Sequence, residues 1–317
     1  MTTTKIEWAT HSWNVMAGCS NASKGCTNCY AIPMTKRLGR IGSTADKYAG
    51  LVEASTPRPK WTGEVRLFPE QFDECLHWRK PRRVFLNSMS DTFHESVEFA
   101  DLLPLFNCIK DAPHHRFLIL TKRPHRMASF VDWLDRNAGW ELRAAAHLNH
   151  CWFGTSIEDE DTRQERMPAL VHMSSYYHVW ASFEPLLGAI DTTSTRDLEW
   201  LGWMVVGGES GGLARPCNPD HVADLFDLAR GRTIPFFFKQ WGHYWPATTH
   251  TLNSPLADAP GDLDVLGADR LILSHDTNRY YRLGKNRSGR RFRGREWSQF
   301  PIQLCLTDDE VQESRDV

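Results

Sequence analysis

No stretch of this sequence is apolar for long enough to cross a membrane. The first residues, MTTTKIEWATHSW, also hold no apolar run of the kind that marks a secretory leader. Both absences point to a cytoplasmic protein with no membrane partner. Net charge is small: 37 Lys and Arg stand against 39 Asp and Glu, which leaves −2. The chain as a whole is therefore no polycation, and any contact with nucleic acid has to come from a local basic patch. No internal repeat of about 20 to 50 residues is present. What remains is an ordinary globular composition, 41% hydrophobic and 24% charged, over 317 residues. That is enough apolar material for a large core. Trp is abundant, at 13.

A further absence lies inside the stretch GCSNASKGCTNCYA, residues 18–31. Cys19, Cys26 and Cys29 crowd together there, with no histidine and no fourth cysteine beside them. A structural zinc site takes four protein ligands. In a reducing compartment a tight cysteine cluster reads as metal binding or redox chemistry. Three thiolates can hold three irons of a [4Fe–4S] cluster and leave the fourth iron to a ligand that is not protein. If that ligand is the amino and carboxylate groups of S-adenosylmethionine, an electron from the cluster can cleave the sulfonium. The spacing is C-x6-C-x2-C, with Tyr30 directly after the last cysteine. Gly18 and Gly25 precede two of the cysteines and let the backbone approach a cluster closely. Zinc and unliganded thiols are the other readings of the triad. Cys75, Cys108, Cys151, Cys217 and Cys305 are scattered, and Cys108 and Cys151 read as buried small hydrophobes.

Six short apolar runs recur: residues 82–88, 116–121, 150–156, 177–184, 203–210 and 234–240. Each has the length of a strand buried on both faces. Stretches of helical spacing lie between them, among them SVEFADLLPLFNCIKDA, HRMASFVDWLDR, DTRQERMPALVHM and NPDHVADLFDLARGR. With a further short strand near SWNVMAG, the alternation predicts an α/β fold: a full or partial (β/α) TIM-like barrel of about seven parallel strands. A doubly wound sheet is the alternative. The barrel is expected to span residues 1–242, with a loop insertion near 40–64. Residues 243–317 form a small C-terminal extension.

Polar residues gather at the C-terminal end of each run, which in a parallel barrel is the face that carries chemistry. Lys122, Glu184, Glu209 and Lys239 are the candidate catalytic residues. Asn87, Ser88, Thr121, Arg123, Ser156 and Ser182 are the candidate cofactor-binding residues. Helix capping accounts for Ser88 or Ser156 but poorly for a lysine, an arginine and two glutamates. Glu184 is placed to pair with Lys239 or Arg123, and Arg123 carries a fork suited to a carboxylate or phosphate. Asp91 and His94 are a candidate acid–base pair; Asp91 also sits well as a helix cap, and His94 has no partner visible in the sequence. His114 and His115 precede a strand and belong to the opposite end. Residues 279–297 hold Arg279, Arg282, Lys285, Arg287, Arg290, Arg291, Arg293 and Arg295 interleaved with Tyr280, Tyr281, Phe292 and Trp297. That pattern suits a phosphate backbone and unstacked bases, hence DNA or RNA.

The segments EWATHSWNVMAGCSNASKGCTNCYA, FLNSMSDTFHE, LTKRPHRM, FGTSIED, SFEPLLG, VVGGESG, FFFKQWG and GRRFRGREW, in this order from about residue 5 to about residue 300, resemble a family of phage and prophage proteins of unknown function. That family is similar to the radical S-adenosylmethionine enzymes, with spore photoproduct lyase among its nearer relatives. The resemblance implies that Cys19, Cys26 and Cys29 ligate a [4Fe–4S] cluster, that S-adenosylmethionine binds, and that an electron-donor protein serves the site. The wide first cysteine interval belongs to the family pattern and is three residues longer than the usual superfamily spacing. Glu209 in GGES is similar to the Gly-Gly-Glu turn that binds the methionine amino group in many such enzymes, but here it follows a late strand. The leading expectation is thus a radical S-adenosylmethionine-type enzyme acting on nucleic acid in modification or repair. The alternative is a non-enzymatic nucleic-acid-binding protein with a structural zinc or iron–sulfur site, for which His11 is a candidate fourth ligand. A hydrolase is disfavoured, because the strand ends hold no histidine cluster and no two-metal carboxylate set.

Overall fold

The structure is a computed structural model and describes residues 2–53, 58–194, 196–246, 271–273 and 278–307, with 310 and 312. Seven parallel strands alternate with helices. They are β1 (His11–Trp13), β2 (Arg83–Leu86), β3 (Arg116–Thr121), β4 (Cys151–Ser156), β5 (His178–Phe183), β6 (Met204–Gly207) and β7 (Phe236–Gln240). The helices are α1 (Ala31–Leu38), α2 (Phe99–Lys110), α3 (Pro124–Asn137), α4 (Glu160–Ser174) and α5 (Pro219–Gly231). The α/β class and the seven strands expected from the sequence are present. Every residue of β2 and β6 is buried, which is why these runs show no polar alternation. In α2, Leu102, Leu105, Phe106 and Ile109 recur at helical spacing and form its buried stripe. Pro124 and Pro219 open α3 and α5, where a missing N–H costs no hydrogen bond. No helix among the described residues is long and apolar enough to cross a membrane.

The chain divides into two compact units: Met1–Thr155 with Pro168–Trp180, and Ser156–Met167 with Ala181–Val317. In the first, Thr2–Thr3 lies antiparallel to β1, and β1, β2, β3 and β4 follow in parallel order. The register pairs Trp13 with Leu86, Leu86 with Ile119, and Thr121 with Thr155. The loops that follow these strands therefore leave from one edge. Below that edge the core is aromatic: the Trp8 ring lies 4.7 Å from Phe85 and 5.3 Å from Trp180. Gly154 makes room for Trp180, since a Cβ there would sit 2.4 Å from the indole. His115 and His150 precede β3 and β4, and their Nε2 atoms face the Cys75 and Ile109 carbonyls at 3.2 and 2.9 Å.

The segment expected as a loop near 40–64 has more order than its sequence suggests. It holds a helical turn at Ala45–Tyr48 and a strand pair, Val52–Glu53 with Lys60–Trp61; residues 54–57 lie outside the described residues. Leu51 and Trp61 are buried against Ala17, Ile32, Phe68 and Met89, and Cys19 and Cys29 pack on the same cluster.

In the second unit β6 pairs with β5 and with β7, and a register shift at Val206/Gly207 sets Gly207 opposite Gln240. Further on, β8 (Tyr244–Pro246), β9 (Leu271–Leu273) and β10 (Arg279–Arg282) form an antiparallel sheet with β10 in the middle. Most of the stretch expected to be loop-like after residue 243 lies outside the described residues. Three aromatics of the basic segment at 279–297 pack into the protein. Phe292 packs 5.4 Å from Phe226 and 5.6 Å from Phe238, and Trp297 lies 4.5 Å from Phe226. Tyr280, Phe292 and Trp297 are buried. Tyr280, Phe292 and Trp297 thus point in, Tyr281 is half-buried, and Arg282, Arg287, Arg291 and Arg295 point out.

Candidate functional site

The cysteine loop leaves β1 under close control. Asn87, at φ 57°, accepts from the Val15 amide at 3.0 Å and donates to Thr92 at 2.9 Å. Ser90 Oγ donates to the Gly18 carbonyl at 2.6 Å. Gly18 has φ 92°, and a Cβ there would stand 2.1 Å from the Glu64 carbonyl oxygen. No other residue fits, so the inserted segment, and not a cluster, explains this glycine. Gly25 lies within the 3-10 turn Lys24–Cys26. That turn folds the chain back so that the Ala22 amide donates to Cys26 Sγ at 3.4 Å. The Cys29 amide donates to the Cys26 carbonyl, and α1 begins two residues later.

All three cysteines are free thiols. Cys26 is buried, and Cys19 and Cys29 are half-buried. Charge on Cys26 or Cys29 disfavours charge on Cys19, and charge on Cys26 disfavours charge on Cys29. Burial, then Asp91, pushes the Cys19 thiol up to about 12, with Arg123 opposing. Burial also raises Cys29, against backbone donors and the nearby Lys122. Among the described residues, no three His, Cys, Asp or Glu side chains converge on one point as a single metal ion requires.

Beside Cys19 lies a polar network. Arg123 Nε donates to Glu95 at 2.6 Å and Nη1 to Asp91 at 3.0 Å. Its Nη2 donates to Ser20 Oγ at 2.7 Å and to the Ser20 carbonyl at 3.4 Å. Asp91 also accepts from Thr121 Oγ1 at 2.6 Å and from the Phe93 and Lys122 amides at 3.0 and 3.2 Å. His94 Nδ1 accepts from the Ser96 amide. Burial, then Arg123, lowers the His94 pKa and keeps the ring neutral. In the tautomer this network assigns, Nε2 carries the proton and donates to Ser20 Oγ at 2.8 Å. Ser20 Oγ therefore accepts twice, which fills both its lone pairs and leaves its own proton as the hydroxyl's remaining donor.

The sequence-predicted residues divide between the two units. In the first, Lys122 sits within charge range of Cys29, and Arg123 and Thr121 belong to the Asp91 network. The Arg123 fork is directed at protein carboxylates and at Ser20, so it orders the cysteine loop. Ser88 Oγ donates to Asn14 at 3.1 Å. In the second unit, the Ser156 carbonyl accepts from the buried Arg166 at 2.7 Å, and the Ser182 carbonyl accepts from the Ile157 amide. Glu184 and Lys239 form the expected pair: Nζ lies 2.7 and 2.9 Å from the two carboxylate oxygens. Gly207 admits that pair, since a Cβ there would meet Lys239 Cβ at 3.3 Å. Gln240 Nε2 donates to the Gly208 carbonyl at 2.8 Å. Glu209 is gripped by Arg215 through the backbone amide at 2.8 Å, Nε at 2.9 Å and Nη2 at 2.6 Å.

Sequence reading missed Ser20 and Arg215, and read Asp91 as a helix cap or as half of an acid–base pair with His94. Adjacency to Cys19 is the signal that singles out Ser20. For Arg215 it is a spacing of six residues from Glu209 across a glycine-rich turn.

The site and fold together define an α/β protein with a free three-cysteine loop after its first parallel strand. The chain belongs to the family described as "Protein of unknown function (DUF5131)", which matches residues 3–301. No curated protein matches it. Among solved structures it is similar to a spore photoproduct lyase double mutant with bound AdoMet and dinucleoside spore photoproduct, at TM-score 0.41 and 14% identity, over 89% of this chain and 70% of that one. A spore photoproduct lyase complexed with dinucleoside spore photoproduct is similar at TM-score 0.36 and 12% identity, with the same coverage.

Proposed function

We propose that this protein is a radical S-adenosylmethionine-type enzyme whose Cys19, Cys26 and Cys29 hold one [4Fe–4S] cluster. The observation that carries the reading is the donor set. Three free thiols lie within charge range of one another on one loop, and the loop sequence supplies no fourth cysteine or histidine of the kind a structural zinc site takes. The thiolates suit iron–sulfur ligation by softness. Bound there, the cluster with S-adenosylmethionine supplies reductive cleavage of the sulfonium.

The chain's own residues prepare that site. Arg123, Asp91 and His94 fix the loop through Ser20, and Lys122 adds positive charge beside Cys29. We assign Glu184, Lys239 and Glu209 to substrate binding or proton handling at their strand ends. The substrate class is nucleic acid, met through the outward arginines of 279–297 by phosphate contacts and without base stacking. An electron-donor protein supplies the electron, and the cytoplasm is the setting.

Anaerobic reconstitution followed by iron and sulfide analysis tests the reading. The expected result is about four irons and about four sulfides per chain, the content of one [4Fe–4S] cluster. Addition of S-adenosylmethionine and strong reductant should release 5′-deoxyadenosine. Cys26→Ala should abolish both. One zinc per chain in place of iron would sink the proposal.

A further inference from the structure

The basic segment runs along the carboxyl ends of β6 and β7, within the second unit. The Gly284 amide donates to the His243 carbonyl at 2.9 Å, and the Trp241 amide to the Gly289 carbonyl at 3.3 Å. Arg282, itself exposed, reaches across with Nη2 to the Gly212 carbonyl at 2.9 Å. The loop it touches follows β6 and is pinned at its root, where Arg215 grips Glu209. The His243 amide fastens the same root, donating to the Glu209 carbonyl at 2.9 Å. From there the turn at Gly211 and Gly212 carries Leu213 outward, 59% exposed. A lone exposed leucine is ordinary on a protein surface; the setting of this one is not. Gly211 has φ 115°, a conformation that suits glycine alone. Gly212 has no such φ, and apart from its chain neighbours no atom of the described residues lies within 4 Å of where its Cβ would stand. Neither conformation nor internal packing asks for glycine at 212, whereas a ligand lying against the backbone beside Leu213 would. Guanidinium groups flank the leucine: Arg282 on the Gly212 carbonyl, and Arg215 two residues on, its side chain 36% exposed. The loop's carboxylate, Glu209, is buried under Arg215.

We propose that Leu213 is a wedge that enters the base stack of a nucleic-acid duplex while Arg282 holds the phosphate beside it. The proposal rests on the nucleic-acid reading above and deepens it. Three aromatics of the basic segment face the core, so contact with bases falls to another residue, and the loop after β6 supplies one. A leucine has no flat face to stack, but it fills the gap between two parted bases and keeps them from closing. The guanidinium beside it suits the phosphate of the parted step. The loop is held at its root before any ligand arrives, so little ordering is added to the cost of unstacking. A base displaced past Leu213 would be offered to the carboxyl ends of β6 and β7, where Lys239 pairs with Glu184. One leucine is too small an apolar centre for a protein partner, whose interface core gathers several large side chains.

The test titrates the full chain into a short DNA duplex with 2-aminopurine at its centre, a base whose emission rises when it leaves the stack. Affinity is measured over a range of salt concentrations in the same titrations. Wild type should bind more weakly as salt rises and should raise the emission. Leu213→Ala should remove most of that rise while keeping the salt dependence. Arg282→Ala should weaken binding across sequences and lower the slope of log affinity against log salt by about one. Leu142→Ala, at a leucine of the first unit that is 63% exposed, should change neither quantity. The proposal is overturned if Leu213→Ala raises the emission as wild type does, or if Leu142→Ala loses the rise to the same extent. Salt-dependent binding with no rise in wild type strikes the wedge and leaves the nucleic-acid reading standing. Absence of duplex binding strikes both. Displacement of the duplex by poly-glutamate as readily as by unlabelled duplex would give the arginines to an acidic protein and overturn the proposal.

Discussion

Ser20 carries more of the site than its size suggests. Its hydroxyl accepts from His94 and Arg123, so its proton is left for a ligand beside Cys19. A hydrogen bond donated to a cluster sulfur stabilises the more negative, reduced state. Ser20→Ala should therefore move the midpoint potential of the reconstituted cluster to a more negative value, read by redox titration, with iron content unchanged. An unaltered potential would mean that the proton points elsewhere. Arg123 is held to a different standard. It is buried with Asp91 at 3.0 Å, and removing one member of such a pair leaves a buried charge without compensation. Arg123→Ala should lower stability by about 3–5 kcal/mol, seen as a fall in the thermal midpoint of the iron-free protein. Arg123→Lys should recover little of this, because an ammonium cannot reach Asp91, Glu95 and Ser20 in the plane of one fork.

At the scale of elements, the strands of the first unit set two further expectations. His115 and His150 sit buried at the start of β3 and β4, and burial lowers both, His115 to about 4. The unfolded chain binds protons on these rings near pH 6.5, where the folded chain does not. Stability they contribute is complete above that value and is lost as pH falls toward 4. His115 alone accounts for a change on the order of 3 kcal/mol over that interval. Denaturant titrations at pH 7 and pH 5 should show the lower midpoint at pH 5, and His115→Phe should flatten the difference. Gly154 lies in β4 against the Trp180 indole. Gly154→Ala should cost about 1–3 kcal/mol by overpacking, and Trp180→Phe in the same chain should return part of it by opening space.

Over the whole molecule, the strands and main helices were legible because their apolar runs are long and their spacing consistent. β2 and β6 are buried along their full length, and α2 shows an uninterrupted stripe. The Glu184–Lys239 pair was legible because two opposite charges stood at strand ends. The inserted segment was not. Its order comes from Leu51 and Trp61 packing under the cysteine loop, a tertiary effect that leaves no period in the sequence. The rings of the basic segment were misplaced for a related reason: alternation of aromatic and arginine reads the same whether the rings face bases or Phe226. Ser20 and Arg215 stayed hidden because their roles depend on partners that only the fold brings near.

The distance along the chain between Ser20 and Arg123 has a consequence for how the protein is made. These two residues are separated by 103 positions. At a synthesis rate of about 5–20 residues per second, Arg123 is added roughly 5 to 20 s after Ser20. Throughout that interval the cysteine loop exists without the guanidinium, without Asp91 and His94 for most of it, and without the β3 edge that anchors them. Three thiols thus spend their first seconds on a nascent chain that cannot yet hold them in place. On the cluster reading proposed above, iron and sulfide delivered then would meet an unformed site, and assembly would belong to the period after α3 has emerged and closed the network over Ser20.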